Sequence, residues 1–78
     1  MDERNVIEIL GRNVHDVRCK KNMSIQELAE KLNLEIDVLI KVEAEEYSGL
    51  NILQHIQIAK ALGVNYEEIT KGIKFVED

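Results

Sequence analysis

The segment Ser-Ile-Gln-Glu-Leu-Ala-Glu-Lys-Leu, residues 24–32, has the pattern of a short, capped, amphipathic helix. Ser24 is a preferred N-cap residue, and Glu27 three positions later can complete a capping box. The apolar face of the segment is formed by Leu28, Ala29 and Leu32. A break at Asn33 precedes a second short helical pattern. Two short helices joined by a tight turn predict a helix-turn-helix at about residues 24–44.

Apolar residues recur at three- and four-residue spacing along the rest of the chain, which contains no proline. This pattern predicts an all-α fold, a compact arrangement of five helices with no sheet in its core. We expect the helices at about residues 2–21, 24–32, 35–44, 52–62 and 66–71. The residues expected to be buried together are Leu10, Val14, Val17, Leu28, Ala29, Leu32, Leu39, Val42, Ile52, Ala59, Leu62 and Ile69. Gly11 predicts a close approach by another helix, because Gly inside a helix costs up to ~1 kcal/mol relative to Ala.

Length and composition indicate one domain over residues 1–78, with its core at about 5–71 and a tail at 72–78. Cys19 is the single cysteine, which excludes an internal disulfide. No apolar run approaches the ~18 residues of a membrane span. Residues 2–3 are acidic where a signal peptide would be positively charged. We therefore expect a cytoplasmic protein that does not enter a membrane.

The net charge of −5 is distributed unevenly. Residues 1–34 carry six acidic and six basic side chains, so residues 35–78 carry the whole excess of acid. Around the second helix of the motif, the base Lys41 is surrounded by Glu35, Asp37, Glu43, Glu45 and Glu46. DNA binding draws most of its non-specific affinity from cations placed on phosphates. The acidic second helix therefore argues against DNA as its ligand.

Several sequence elements resemble one family of helix-turn-helix domains. They are LG-x-x-V-x-x-VR at residues 10–18, S-x-x-ELAEKL at 24–32, the Val-Glu pair at 42–43 and IAKALGV at 58–64. Over about residues 7–71 the chain is similar to the Cro/CI-type domain, which is also called lambda-repressor-like or XRE. The resemblance implies a five-helix, all-α fold. It also implies a transcriptional regulator that binds double-stranded operator DNA as a homodimer.

The resemblance implies roles for particular residues. Arg18 and Glu43 fall where family members often hold a partly buried ion pair, which ties the first helix to the end of the recognition helix, the second helix of the motif. The alternative is two unrelated surface charges. Asn33 stands where the family usually has glycine, and Asn tolerates the left-handed conformation of such a turn. The residues at DNA-contacting positions, here called the recognition surface, are Ser24, Gln26, Glu35, Ile36, Asp37, Ile40, Lys41, Tyr47 and Ser48.

The recognition surface departs from the family pattern at its centre. The family often has Gln where this chain has Ile25, and Gln, Ser, Arg or Lys where it has Glu35, Ile36 and Asp37. A carboxylate can accept a hydrogen bond from cytosine, and Ile can contact a thymine methyl group, but carboxylates repel phosphates. If they are uncovered, Ile36 and Ile40 join Ile25 in an apolar patch rimmed by acids. Scattered surface isoleucines are the ordinary alternative.

Other classes of site find little support in the sequence. His15 and His55 are the only histidines, and neither has Cys or acidic residues at metal-ligand spacing, so we expect no metal site. His55 is expected to be half-buried at a helix edge. There is no Gly-rich phosphate loop, and 78 residues of packed helices leave little room for a substrate pocket. We therefore expect no catalytic residue, no cofactor and no small-molecule substrate, and the protein is not expected to be an enzyme.

Two functions remain open. The family resemblance predicts a small DNA-binding transcriptional regulator. The acidic and apolar recognition helix predicts instead a helix-turn-helix domain that binds a partner protein, for example another regulator. The tail residues Ile73, Phe75 and Val76 are more apolar than a solvated terminus needs, and they predict a contact with a second chain in a homodimer.

Overall fold

The computed structural model describes residues 3–46 and 49–73. Of the tail residues predicted to contact a second chain, Phe75 and Val76 lie outside the described residues, and Ile73 is half-buried against the core of its own chain. The described residues form five helices, which are α1 (Glu3–Lys20), α2 (Ile25–Leu32), α3 (Ile36–Glu43), α4 (Ile52–Leu62) and α5 (Tyr66–Thr70). The described part of the chain contains no strand, so the all-α prediction is confirmed, with helix bounds close to the expected ones. None of the described helices combines the length and the apolar character that crossing a membrane requires.

The helix-turn-helix consists of α2 and α3. The Glu27 amide donates a hydrogen bond to Ser24 Oγ at 3.0 Å, and the Ser24 amide donates to Glu27 Oε1 at 3.1 Å. These two bonds form the predicted capping box. The helix ends at Asn33, whose φ of 55° is left-handed, and the amide of Leu34 donates to the Ala29 carbonyl oxygen at 3.0 Å. The turn is therefore closed by local hydrogen bonds, which sets where α3 begins.

Gly11 lies where α1 crosses the end of α3. A Cβ atom at this position would overlap the carbonyl oxygen of Val42 and would lie 3.2 Å from its carbonyl carbon. The close approach predicted from the sequence is present, and its partner is backbone rather than a side chain. Because a backbone carbonyl cannot rotate away, any larger residue at Gly11 would separate α1 from α3.

The core lies where the five helices pack against one another. α1 packs against α3 and α5, and α2 packs against α3 and α4. The buried hydrophobic residues are Leu10, Val14, Leu28, Ala29, Leu39, Val42, Ile58, Ala59, Leu62 and Ile69. Val17 and Leu32 were predicted to be buried with them and are half-buried against this cluster. The core therefore joins residues from all five helices.

The core prediction is wrong for Ile52, which is 66% exposed. Ile52 lies two helical turns before Ala59 and so shares its face of α4, but the buried residues of α4 all lie between Ile58 and Leu62. Periodicity identifies the inward face of a helix, but it does not show how far along the helix the core extends. Ile58, which is 0% exposed, was missing from the predicted core for a different reason, because the buried face of α4 is wider around the helix than predicted.

Candidate nucleic-acid interface

A charged cluster holds the end of α3 against α1. Arg18 Nε donates to Glu43 Oε2 at 2.7 Å, and Arg18 Nη2 donates to Glu43 Oε1 at 2.8 Å. The remaining nitrogen, Nη1, donates to the carbonyl oxygen of Met23 at 2.7 Å. The side chains of Arg18 and Glu43 are only 14% and 8% exposed. The structure thus brings these two residues together in a bidentate pair that connects α1 to the last residue of α3.

His15 is a third member of this cluster and was not predicted from the sequence. Its Nδ1 atom lies 2.8 Å from Glu43 Oε1, and the side chain is half exposed. The signal available in the sequence was its position three residues before Arg18, which places both side chains on one face of α1. Both residues therefore reach the same carboxylate from one helix.

The cluster keeps the carboxylate of Glu43 ionised. Burial by itself raises the pKa of this group, but the hydrogen bonds from Arg18 and His15 outweigh burial and hold the pKa below its ordinary value. The hydrogen bond to Glu43 in turn raises the pKa of the Arg18 guanidinium. Both partners are therefore charged at neutral pH, and the connection between α1 and α3 is ionic.

The first turn of α2 presents fewer free polar groups than expected. The hydroxyl of Ser24 accepts the capping hydrogen bond, and the exposed side chain of Gln26 lies with Nε2 3.5 Å from Glu30 Oε1. Ile25 is half-buried and packs against the core. The expectation that Ile25 joins an outward apolar patch is therefore wrong, because this side chain already has an intramolecular partner.

The outward side of α3 carries the rest of the recognition surface. Ile36 is 37% exposed and Ile40 is 48% exposed, while Leu39 and Val42 on the opposite side are buried. The remaining exposed members on this helix and its N-cap are Glu35, Asp37 and Lys41. Tyr47 and Ser48 lie outside the described residues. The surface thus presents two apolar side chains, two carboxylates and one ammonium group to the solvent.

An open groove separates α2 from α3 beside this surface. Its lining includes Gln26, Glu30, Leu34, Glu35 and Ile36, so both apolar side chains and two carboxylates line it. No group of three or more His, Cys, Asp or Glu in the described part of the chain could hold a metal ion. The arrangement can accept hydrogen bonds and bury apolar groups of a macromolecule laid across it.

No protein-family model matches the chain, and no curated protein sequence matches it. The chain is similar to the crystal structure of a hypothetical transcription factor, NHTF, from Neisseria. The TM-score is 0.78 at 26% sequence identity, and the match covers 90% of this chain and 79% of that chain. The five-helix domain with its α2–turn–α3 unit therefore has the fold of a protein described as a hypothetical transcription factor.

Proposed function

We propose that this chain is a small DNA-binding transcriptional regulator of the Cro/CI type that acts as a homodimer in the cytoplasm. The observation that carries the proposal is the exposed outward side of α3, set on a capped α2 and anchored at its far end by the Arg18–Glu43 pair. In helix-turn-helix proteins the second helix lies in the major groove. The similarity to NHTF supports a role in transcription, and the resemblance of the sequence elements supports the Cro/CI type.

The chemistry of α3 defines what it would contact in the groove. Lys41 is the cation available for a phosphate or for guanine, and no salt bridge among the described residues involves it. Glu35 and Asp37 can accept hydrogen bonds from cytosine, and Ile36 and Ile40 can contact thymine methyl groups. Because the slope of affinity against salt follows the number of phosphates neutralised, we expect a shallow salt dependence.

A mobility-shift assay against genomic fragments at low salt tests the proposal. Replacing Glu35 and Asp37 with Gln should strengthen DNA binding, because it removes repulsion between carboxylates and phosphates. Lys41→Ala should weaken binding, by ~1–3 kcal/mol if the contact is to a base. Lys60→Ala, which removes an exposed lysine outside the recognition surface, is the matched control and should have little effect. Equal losses for the two lysine variants would contradict the assignment of α3 as the DNA-contacting helix.

A second candidate function is docking of a partner protein on the same surface. It is favoured by the exposure of Ile36 and Ile40, one helical turn apart, next to the carboxylates of Glu35 and Asp37. The complementary partner is an amphipathic helix with apolar anchors one turn apart and flanking Lys or Arg residues. Such a partner would bury the two isoleucines and pair its Lys or Arg residues with the neighbouring carboxylates.

DNA binding and partner capture by the same variants distinguish the two functions. If a protein is the ligand, Ile36→Asp or Ile40→Asp should abolish capture of the partner and leave the fold intact, because both side chains point outward. The Gln variants of Glu35 and Asp37 should then show no DNA binding either. Tight DNA binding with a steep salt dependence in the unmodified protein would exclude the protein-docking function.

A further inference from the structure

The outward side of α3 places three different chemical groups within one helical turn. Asp37 is followed three residues later by Ile40 and four residues later by Lys41, and side chains at these spacings are neighbours on a helix surface. All three side chains are exposed, Ile40 to 48%. None of the salt bridges among the described residues involves Asp37 or Lys41. The turn therefore offers a carboxylate acceptor, an apolar group and an ammonium donor side by side.

The carboxylate of Asp37 restricts which DNA this turn can bind. A carboxylate repels phosphates, so it is unfavourable beside DNA unless it accepts a hydrogen bond from a base. In the major groove, the donors on the base edges are the amino groups of cytosine and adenine. Asp37 therefore favours a base pair whose amino group lies next to partners for Ile40 and Lys41.

The order of groups across the major-groove edge decides which base pair this is. In a thymine·adenine pair, the group beside the thymine methyl is the O4 acceptor, which repels a carboxylate. In a cytosine·guanine pair, the cytosine amino donor lies beside the O6 and N7 acceptors of guanine, but there is no methyl group. Methylation of cytosine at C5 places a methyl group beside the amino donor. Of these three pairs, only the methylated one presents a methyl group, a donor and an acceptor in that order.

We propose that α3 recognises 5-methylcytosine paired with guanine, so that the protein binds methylated DNA more tightly than the same sequence without methylation. Ile40 contacts the C5 methyl group, Asp37 accepts from the amino group, and Lys41 donates to guanine. The proposal rests on DNA binding by α3, which is the proposed function, and deepens it by naming the chemical form of the DNA. Burying one methyl-sized group should strengthen binding about fourfold.

Two pools of one random-sequence duplex library test the proposal. One pool is prepared with cytosine, and the other with 5-methylcytosine at every cytosine. Sequences that the protein selects from the methylated pool are resynthesised in both forms, and their dissociation constants are measured by mobility shift. The methylated form should bind at least about fourfold more tightly. The ratio of the two constants should not vary with salt, because methylation leaves the number of neutralised phosphates unchanged.

Two variants test whether Ile40 contacts the methyl group. Ile40→Ala should remove the preference for the methylated duplex, because the shortened side chain no longer reaches the methyl group. Leu53→Ala is the matched control, since it truncates an apolar side chain that is 60% exposed on α4, outside the recognition surface. It should keep the preference. Because both side chains are exposed, both variants should retain the helical content of the unmodified protein by circular dichroism.

A third duplex tests the role of Asp37. Replacing the selected 5-methylcytosines with thymine, paired with adenine, keeps a methyl group and exchanges the donor beside it for an acceptor. Binding should fall about fivefold or more, because a wrong base pair in a site typically costs at least that much affinity. Asp37→Ala should reduce this discrimination, since the repulsion between its carboxylate and thymine O4 is then absent.

The outcomes separate this proposal from the proposed function. Equal affinity for the methylated and unmethylated duplexes would overturn the recognition of 5-methylcytosine and leave DNA binding intact. Failure to select any duplex from either pool would overturn both. A methyl preference that persists in Ile40→Ala, or a thymine duplex bound as tightly as the methylated one, would contradict the contacts assigned to α3 and overturn the proposal.

Discussion

Replacing Arg18 with Ala should destabilise the domain more than any change at an exposed position of α1. The variant removes both hydrogen bonds to Glu43 and the bond to the Met23 carbonyl oxygen, and it leaves a carboxylate that is 8% exposed with only His15 as a partner. Removing one member of a buried ion pair costs about 3–5 kcal/mol. A chain of this length has a total stability of about 4–12 kcal/mol, so the variant should lose a large fraction of it.

Urea unfolding at low temperature, followed by circular dichroism, measures the loss of unfolding free energy in Arg18→Ala. Low temperature is chosen so that the destabilised variant is still folded before urea is added. Lys20→Ala is the matched control, because Lys20 is an exposed base on the same helix, and its effect should stay within about 0.5 kcal/mol. Adding Glu43→Leu to Arg18→Met should recover much of the loss, because no charge is then stranded. Equal losses for Arg18→Ala and Lys20→Ala, or a double variant as unstable as the sum of its single variants, would refute the reasoning.

Three further predictions concern stability. Gly11→Ala should destabilise the domain by about 1–3 kcal/mol in urea unfolding, although Ala favours helices, because its Cβ would overlap the Val42 carbonyl oxygen; a stabilised variant would show that α1 moves freely over α3. Because the pKa of Glu43 is lowered in the folded protein, its ionised carboxylate stabilises the fold fully above about pH 4.3. This stabilisation is lost as the pH falls through the folded-state pKa. Glu43→Gln should therefore flatten the acid unfolding profile below that pH, and an unchanged profile would contradict the pairing. Burial lowers the pKa of His55, so the unfolded chain binds its proton more readily and stability should fall as pH drops below about 6.5; His55→Gln should reduce that slope, as measured by urea midpoints at a series of pH values.

The outward positions of the recognition helix could be predicted from the sequence because α3 is short and amphipathic. Once Leu39 and Val42 are assigned to the core, the period of the helix places Ile36, Ile40 and Lys41 on the other side. The direction of a side chain from its own helix is a local property. The inward packing of Ile25 could not be predicted in this way, because it depends on how α2 is tilted against the rest of the domain.

The chain's own local signals determined the helices and the turns between them. The capping box of Ser24 and Glu27, the left-handed Asn33 that ends α2 and the left-handed Gly63 that ends α4 act through hydrogen bonds and backbone conformations within one or two turns. Neighbouring residues therefore suffice to place them. Tertiary structure alone decided where the core stops along α4, and hence that Ile52 is exposed on that helix. A side chain is buried when residues distant in sequence pack over it, and the local sequence pattern of a helix does not show which of its side chains those residues will contact.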